Sequence, residues 1–511
     1  MAGLARKRLS FIRRWFGALA GAPLHVMCVT GALTLFYGPL MLWEEPFAQE
    51  RSAFGGYQSV LDAAAPPTAE FQLYLPRNDL GRPSVAFVPP GADSWQGFWV
   101  GSEPSRRLPR REALAGFLYD AHFFWHRATG LPLQYLAGFL LIGYLLSVTS
   151  EVLLGCGGTR GAQRVRGALV LATQAPSVLY AYTGALMVLG PLLVAVSVAP
   201  VFGGDSERAL RVAGYFGEEL AEREDPEPGP EAPALPLDDL VTAALGAEPH
   251  LVVESFSAVN YGRANGSVDV RGSVTGGTAI AMSSGRDTSV SVRTLDGRVL
   301  GVQGQRTDGA TAWVARWLQG LHHTWYGGPF ARTLLFALVI VGSCTFVTRQ
   351  FRWLERAGQG SGRVALPSRL LARWTLGVGS GTFVAVAALF LASRSFPLSW
   401  TSRSVAEELV FPVTLTACVG WSLLASDTVR CCARQLRLAG FTLLPVPLLA
   451  ARWSNAGVFG AGPRLAQVVA VDAGLAVASV ALLGAARALA RLTPSRSLEA
   501  IPLSPAASSP S

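Results

Sequence analysis

Residues 131–154 read LPLQYLAGFLLIGYLLSVTSEVLL, a continuous apolar run in which Glu151 is the one charged side chain. A helix rises about 1.5 Å per residue and the hydrocarbon core of a bilayer is about 30 Å thick, so about 20 such residues cross it. A surface helix of a soluble protein would instead carry a polar face. Working outward, the same pattern recurs at 21–43, 169–198, 333–347, 374–392, 409–425, 439–451 and 465–489. The 333–347 run is short and extends back to about residue 320. The 439–451 run carries Pro445 and Pro447 and is compatible with a re-entrant segment. Proline and glycine within the others are tolerated in membrane helices.

Composition agrees with this reading. Half of the 511 residues are hydrophobic, 15% are charged, and the mean hydropathy is +0.35. Soluble domains carry about 25% charged residues. A disordered chain is excluded, and a water-soluble enzyme nearly so. The expected fold class is an α-helical integral membrane protein with about eight transmembrane helices and two small external α+β insertions.

The formal charge of +9 points to topology rather than to nucleic acid. Basic residues gather at Arg6–Arg14, Arg160–Arg166, Arg349–Arg373, Arg430–Arg437 and Arg487–Arg496, beside alternate ends of the apolar runs. By the positive-inside rule these ends are cytoplasmic, with both termini inside a bacterial inner membrane. Residues 201–320 hold 17 acidic and 10 basic residues, a net of −7, which leaves +16 for the rest of the chain. The basic start of the chain leads into an apolar run too long for a signal peptide with no small-residue cleavage site after it, so an uncleaved anchor is expected.

The expected organisation is therefore a cytoplasmic N-terminus (1–20), a first span (21–43), an external domain (45–118) and a second span with its outer extension (119–154). A cytoplasmic loop (155–168), a third span (169–198), a second external domain (201–316) and a fourth span (320–347) follow. A second cytoplasmic loop (348–373), a four-helix membrane region (374–492) and a Ser/Pro-rich disordered tail (493–511) complete the chain.

Short alternating segments at 71–75, 84–88 and 97–101 read as strands of the first external domain. In the second, 237–245 reads as a helix and 251–256, 267–271 and 278–282 as strands. Residues 289–302 read as a hairpin turning at Asp296-Gly297. Cysteines fall only in spans (Cys28, Cys344, Cys418) or at cytoplasmic ends (Cys156, Cys431, Cys432), so no disulfide staples the external domains. The sequence carries no phosphate-binding loop and no legible Ser/His/Asp arrangement.

Four of the six histidines fall in two pairs, His122/His126 before the second span and His322/His323 before the fourth. Both pairs sit at the outer face by the topology above. His122 and His126, four residues apart, share a helix face where the helix of the second span begins early, whereas His322 and His323 lie about 100° apart. Histidines on different helices at one depth suit bis-imidazole haem ligation. The surrounding aromatic residues (Phe123, Phe124, Trp125, Trp313, Trp317, Trp325, Tyr326) suit a porphyrin pocket and equally an interfacial belt. His25 reads as a hydrogen-bonded packing residue, His250 as a surface residue, and Asp472 as a hydrogen-bonding group within the bundle, one carboxylate being no proton relay.

The arrangement resembles the PepSY-associated transmembrane family, which includes iron-uptake and ferri-siderophore reductases of bacterial inner membranes. Arg14-Trp15-Phe16-Gly17 followed by Val29-Thr30-Gly31-Ala32-Leu33 resembles the family's first helix, and Tyr182-Thr183-Gly184-Ala185-Leu186 repeats the Thr-Gly pattern. Leu321-His322-His323-Thr324-Trp325-Tyr326-Gly327-Gly328 resembles the start of its fourth helix. The strand pair around residues 294–300 is similar to its PepSY-like external strands. The resemblance covers about residues 10–355.

By this resemblance, His122 and His322 correspond to the ligands of an outer haem b. Its inner-haem positions fall on Arg13 and near Ala168, where no histidine stands. A guanidinium stays protonated and offers no lone pair to iron. The resemblance therefore implies one haem, on the outer side, with iron held by His122 and His322, and His126 and His323 as neighbouring candidates. The implied function is a b-type reductase or electron relay to a periplasmic ferric chelate or siderophore. The alternative is a non-catalytic membrane scaffold whose PepSY-like domains contact a periplasmic protein. Apart from such a partner, the bilayer is the one expected, with no nucleic acid.

Overall fold

The computed structural model describes residues 2–44, 55–75, 83–90, 95–100, 107–109, 113–122, 131–156, 175–189, 227–274, 288–303, 320–324, 328–358, 365–397, 400, 402–449 and 463–492. The chain begins with α1 (Ala2–Thr34) and α2 (Tyr37–Glu44), then α3 (Tyr57–Ala64). Four strands follow, β1 (Phe71–Tyr74), β2 (Ser84–Phe87), β3 (Gln96–Val100) and β4 (Arg107–Pro109). After α4 (Ala113–His122) come α5 (Leu131–Cys156) and α6 (Ala175–Leu189). Next are α7 (Leu237–Ala247), β5 (Leu251–Val259), β6 (Ser267–Val274), β7 (Thr288–Arg293) and β8 (Val299–Gln303). The chain continues with α8 (Gly328–Gly358), α9 (Ala365–Ser395), α10 (Arg403–Leu424), α11 (Thr428–Leu443) and α12 (Pro463–Leu492).

Among the described residues, five helical stretches are long and apolar enough to cross a membrane: Gly17–Thr34, Gly328–Arg356, Leu366–Ser395, Arg403–Leu424 and Ala466–Arg491. Tyr135–Ser150 and Ala175–Leu189 are shorter apolar helices. The apolar run at 439–451 supplies the last five residues of its helix and then crosses a turn at residues 444–445. Its helix, α11, starts at Thr428, where the Asp427 carboxylate accepts from the Arg430 amide at 2.9 Å. Arg430, Arg434 and Arg437 are thus helical residues rather than members of a loop.

The two external segments do not fold apart, as two insertions would. Their strands form one antiparallel eight-stranded sheet in the order β4-β3-β2-β1-β5-β6-β7-β8. The join is β1 against β5, with Phe71 opposite Ala258 and Leu73 opposite Phe256. Successive side chains alternate faces, so Phe71, Leu73, Phe256, Ala258, Val268, Val270, Val290 and Val292 share one core. The apolar faces of α3 (Val60, Leu61) and α7 (Leu237, Leu240, Val241) cover it. Asp296-Gly297 does turn the last hairpin, with Gly297 at φ +70°, a conformation that favours glycine. Residues 278–282 lie outside the described residues.

Residues 113–118 belong with the membrane helices, not with the external sheet. Leu114, Ala115, Phe117, Leu118 and Ala121 of α4 pack with α1, α2, α9 and α10 in a second core. Buried and partly buried polar side chains bond one another there. Arg403 pairs with Glu407 and donates to the Ser393 carbonyl. Trp43 donates its indole N–H to Asp472 at 2.7 Å, and the Arg394 guanidinium lies 3.7 Å over the Trp43 ring. Asp472 is therefore a bonding group within the bundle.

Candidate functional site

The site is built from the ends of short elements between sheet and bundle. The last residue of α2, Glu44, is buried and its carboxylate accepts from the Leu114 and Ala115 amides at 2.7 and 3.1 Å. An anion at a helix N-terminus satisfies amides that lack intrahelical partners and complements the helix dipole. This fixes α4 at its start. Its other end carries His122, whose ring lies against Gly31 of α1. A Cβ on Gly31 would come within 2.4 Å of the imidazole.

His122 Nδ1 is 2.8 Å from the Met27 carbonyl oxygen. A carbonyl only accepts, so in the neutral ring Nδ1 carries the hydrogen and Nε2 the lone pair. His322 reproduces this arrangement. It closes a helical turn over residues 320–322, held in place by Thr324 at φ +50°, whose hydroxyl bonds the Tyr180 phenol. His322 Nδ1 is 2.9 Å from the Thr183 hydroxyl, which itself donates to the Leu179 carbonyl at 2.9 Å. With its hydrogen so engaged, the hydroxyl accepts from Nδ1 and leaves the lone pair on Nε2. Gly184, next to Thr183, keeps the helix close, with a Cβ position 3.3 Å from the His322 ring.

The two rings meet at a centroid separation of 6.0 Å and an interplanar angle of 32°. Two imidazoles on opposite sides of one metal, each bonded at about 2 Å and with a ring radius of roughly 1.1 Å, stand about 6 Å apart. The donor set and spacing therefore fit a bis-imidazole group. Around them is a cleft with about 1090 Å³ of empty space, part of it open to the surroundings. Its walls are mostly apolar and include Met27, Leu141, Tyr144, Val188, Val339 and Phe346. Mostly apolar walls with a few polar groups are the common form of a ligand site. Among the described residues, no group of three or more His, Cys, Asp and Glu gathers as a metal site.

Of the residues singled out in the sequence, His122 and His322 come together. His323 lines the same cleft, with its ring 5.6 Å from that of His322 and perpendicular to it at 89°. His126, the Arg13 side chain and Ala168 lie outside the described residues. His25 is a packing residue, bonded to Ser343 Oγ at 2.6 Å and to the Gly379 carbonyl at 3.0 Å. His250 is exposed. Sequence reasoning did not find the Met27 carbonyl, the Thr183 hydroxyl or Tyr180 as partners of the site. The signal for two of the contacts was present in the repeated Thr-Gly at 30–31 and 183–184, since each glycine receives one imidazole.

Apolar helices long enough to cross a bilayer, joined to one extramembrane sheet above a histidine-lined cleft, define a multi-pass membrane protein. The PepSY-associated TM region family matches residues 14–356, about two thirds of the chain, and the chain belongs to that family. A search of curated proteins finds no match.

Proposed function

We propose that this protein is a single-haem b-type membrane reductase or electron relay, passing electrons to an acceptor such as a ferric chelate or siderophore on the sheet side of the bilayer. The observation that carries the reading is the paired geometry of His122 and His322, 6.0 Å apart with each lone pair on Nε2. These two residues would hold the iron, and the bound haem would supply reversible one-electron transfer. The Met27 carbonyl and the Thr183 hydroxyl fix tautomer and ring orientation, the role of outer partners at metal-ligating histidines. The apolar walls exclude water, a lever on redox potential. The arginine distribution supports an inner-membrane location with both termini cytoplasmic and the sheet periplasmic. Dithionite-reduced minus oxidised spectra of the purified protein are the test. A b-type band that is lost in both His122→Ala and His322→Ala is the expected result. No band, or a band unchanged in these variants, overturns the reading.

A second reading, a non-catalytic scaffold with a periplasmic protein partner, is favoured by the absence of histidine at Arg13 and Ala168. Because β1 and β5 share one sheet, its test requires the full chain rather than residues 201–316 alone. Co-purification of a defined partner by a chain without any b-type band would favour it.

A further inference from the structure

The exposed side of the α11–α12 pair carries arginines that the site above does not use. The two helices run antiparallel and touch where Ser479 Oγ donates to the Gly440 carbonyl at 2.8 Å. From that contact, Arg434 and Arg487 lie six and eight residues toward the arginine-rich end, roughly 9–12 Å away, and Arg430 and Arg491 lie roughly 15–18 Å away. The five side chains Arg430, Arg434, Arg437, Arg487 and Arg491 are all exposed. Steps of about 100° per residue put Arg437, Arg430 and Arg434 about 60°, 80° and 120° round α11 from Gly440. The same count puts Arg487 and Arg491 about 80° and 120° round α12 from Ser479. Equal rotation in the same sense on antiparallel helices opens onto the same side of the pair. The arginines therefore flank one groove.

Like charges at one depth repel, and among the described residues Asp427, paired with Arg430 at 3.1 Å, is the one acid bonded to any of the five. The groove changes character farther from the arginine end. There the same side is lined by Phe441 of α11 and Val469 and Val480 of α12, all exposed. A cationic mouth that continues into an apolar channel along the bilayer matches a molecule with an anionic head and long hydrocarbon chains.

We propose that the α11–α12 groove is a binding site for an anionic phospholipid, with the headgroup phosphate among Arg434, Arg437 and Arg487 and the acyl chains along Phe441, Val469 and Val480. Basic pockets between membrane helices hold such headgroups, and each arginine near a phosphate contributes enough to be read in binding. The site is independent of any cofactor at His122 and His322.

The test uses the full chain, stripped of lipid in neutral detergent and then offered mixed micelles of phosphatidylglycerol or cardiolipin, of phosphatidylcholine, or inorganic phosphate alone. Native mass spectrometry should show anionic lipid retained, phosphatidylcholine displaced by washing, and no retention of free phosphate. The double variant Arg434→Gln/Arg487→Gln should lower retention by roughly tenfold or more. The control Arg352→Gln/Arg369→Gln removes the same charge elsewhere on the rim and should leave retention unchanged. Equal retention of both lipid classes, or equal losses in the two double variants, overturns the proposal. So does retention of inorganic phosphate to the same extent as lipid.

Discussion

Glycine does opposite work at the two ends of α1. At the sheet end, Gly31 makes room for the imidazole of His122, and Gly184 on α6 does the same for His322, beside an open cleft. At the arginine end, the missing Cβ of Gly17 is taken up by the Gln350 amide of α8, and that of Gly21 by the Phe346 ring and Gln350. There the helices close on each other with side chains filling the gap, and Trp15 stacks edge-on against Trp353 at 5.5 Å. The same residue type admits a functional side chain at one end and seals helix to helix at the other. What differs is the tenant, an imidazole at one end and an amide or a phenyl ring at the other.

Substitutions can break that comparison. Gly31→Val should have the largest effect, because its side chain occupies the space of the His122 ring. Cofactor absorbance should fall as far as in His122→Ala while the protein still folds, and normal absorbance would refute the role given to Gly31. Thr183→Val comes next. It removes the acceptor for His322 Nδ1 and should weaken cofactor affinity about 10–100-fold, with Thr183→Ser restoring most of it. Glu44→Gln removes the anion from the start of α4 and should cost about 1–2 kcal/mol, read as a lower Tm with the spectrum retained. Gly17→Ala at the sealed end should be smallest, about 1 kcal/mol, since only the end of the Gln350 side chain must yield. A spectral change in that variant would show that the two ends are not separate.

Five of the eight expected spans coincide with helices of membrane-crossing length among the described residues, and these and most strands were legible because period and length mark them directly. Phe71–Tyr74, Ser84–Phe87 and the hairpin around Gly297 needed nothing beyond alternation and a turn residue. Strand β4 escaped, since Arg107-Leu108-Pro109 is three residues long and ends on proline, which cannot donate to a ladder. Pairing of β1 with β5 was illegible for another reason. About 180 residues and two apolar helices intervene, and alternation names a strand's faces but not its neighbour. At the site, the pairing of His122 with His322 rather than His323 needed the actual rotation of the turn over 320–322. The acceptors on Nδ1, a main-chain carbonyl and a threonine hydroxyl, leave no distinctive trace in a sequence.

The order of strands carries a mechanical consequence. β4 leads along the chain into α4 and His122, and β8 leads toward the turn that bears His322. These two strands are opposite borders of the one sheet. Each half of the cleft is thus tethered to a different margin of a single platform, and the β1–β5 seam at its middle ties the tethers together. A slip of that seam by one residue would turn Phe71 and Leu73 out of the core they share with Phe256 and Ala258.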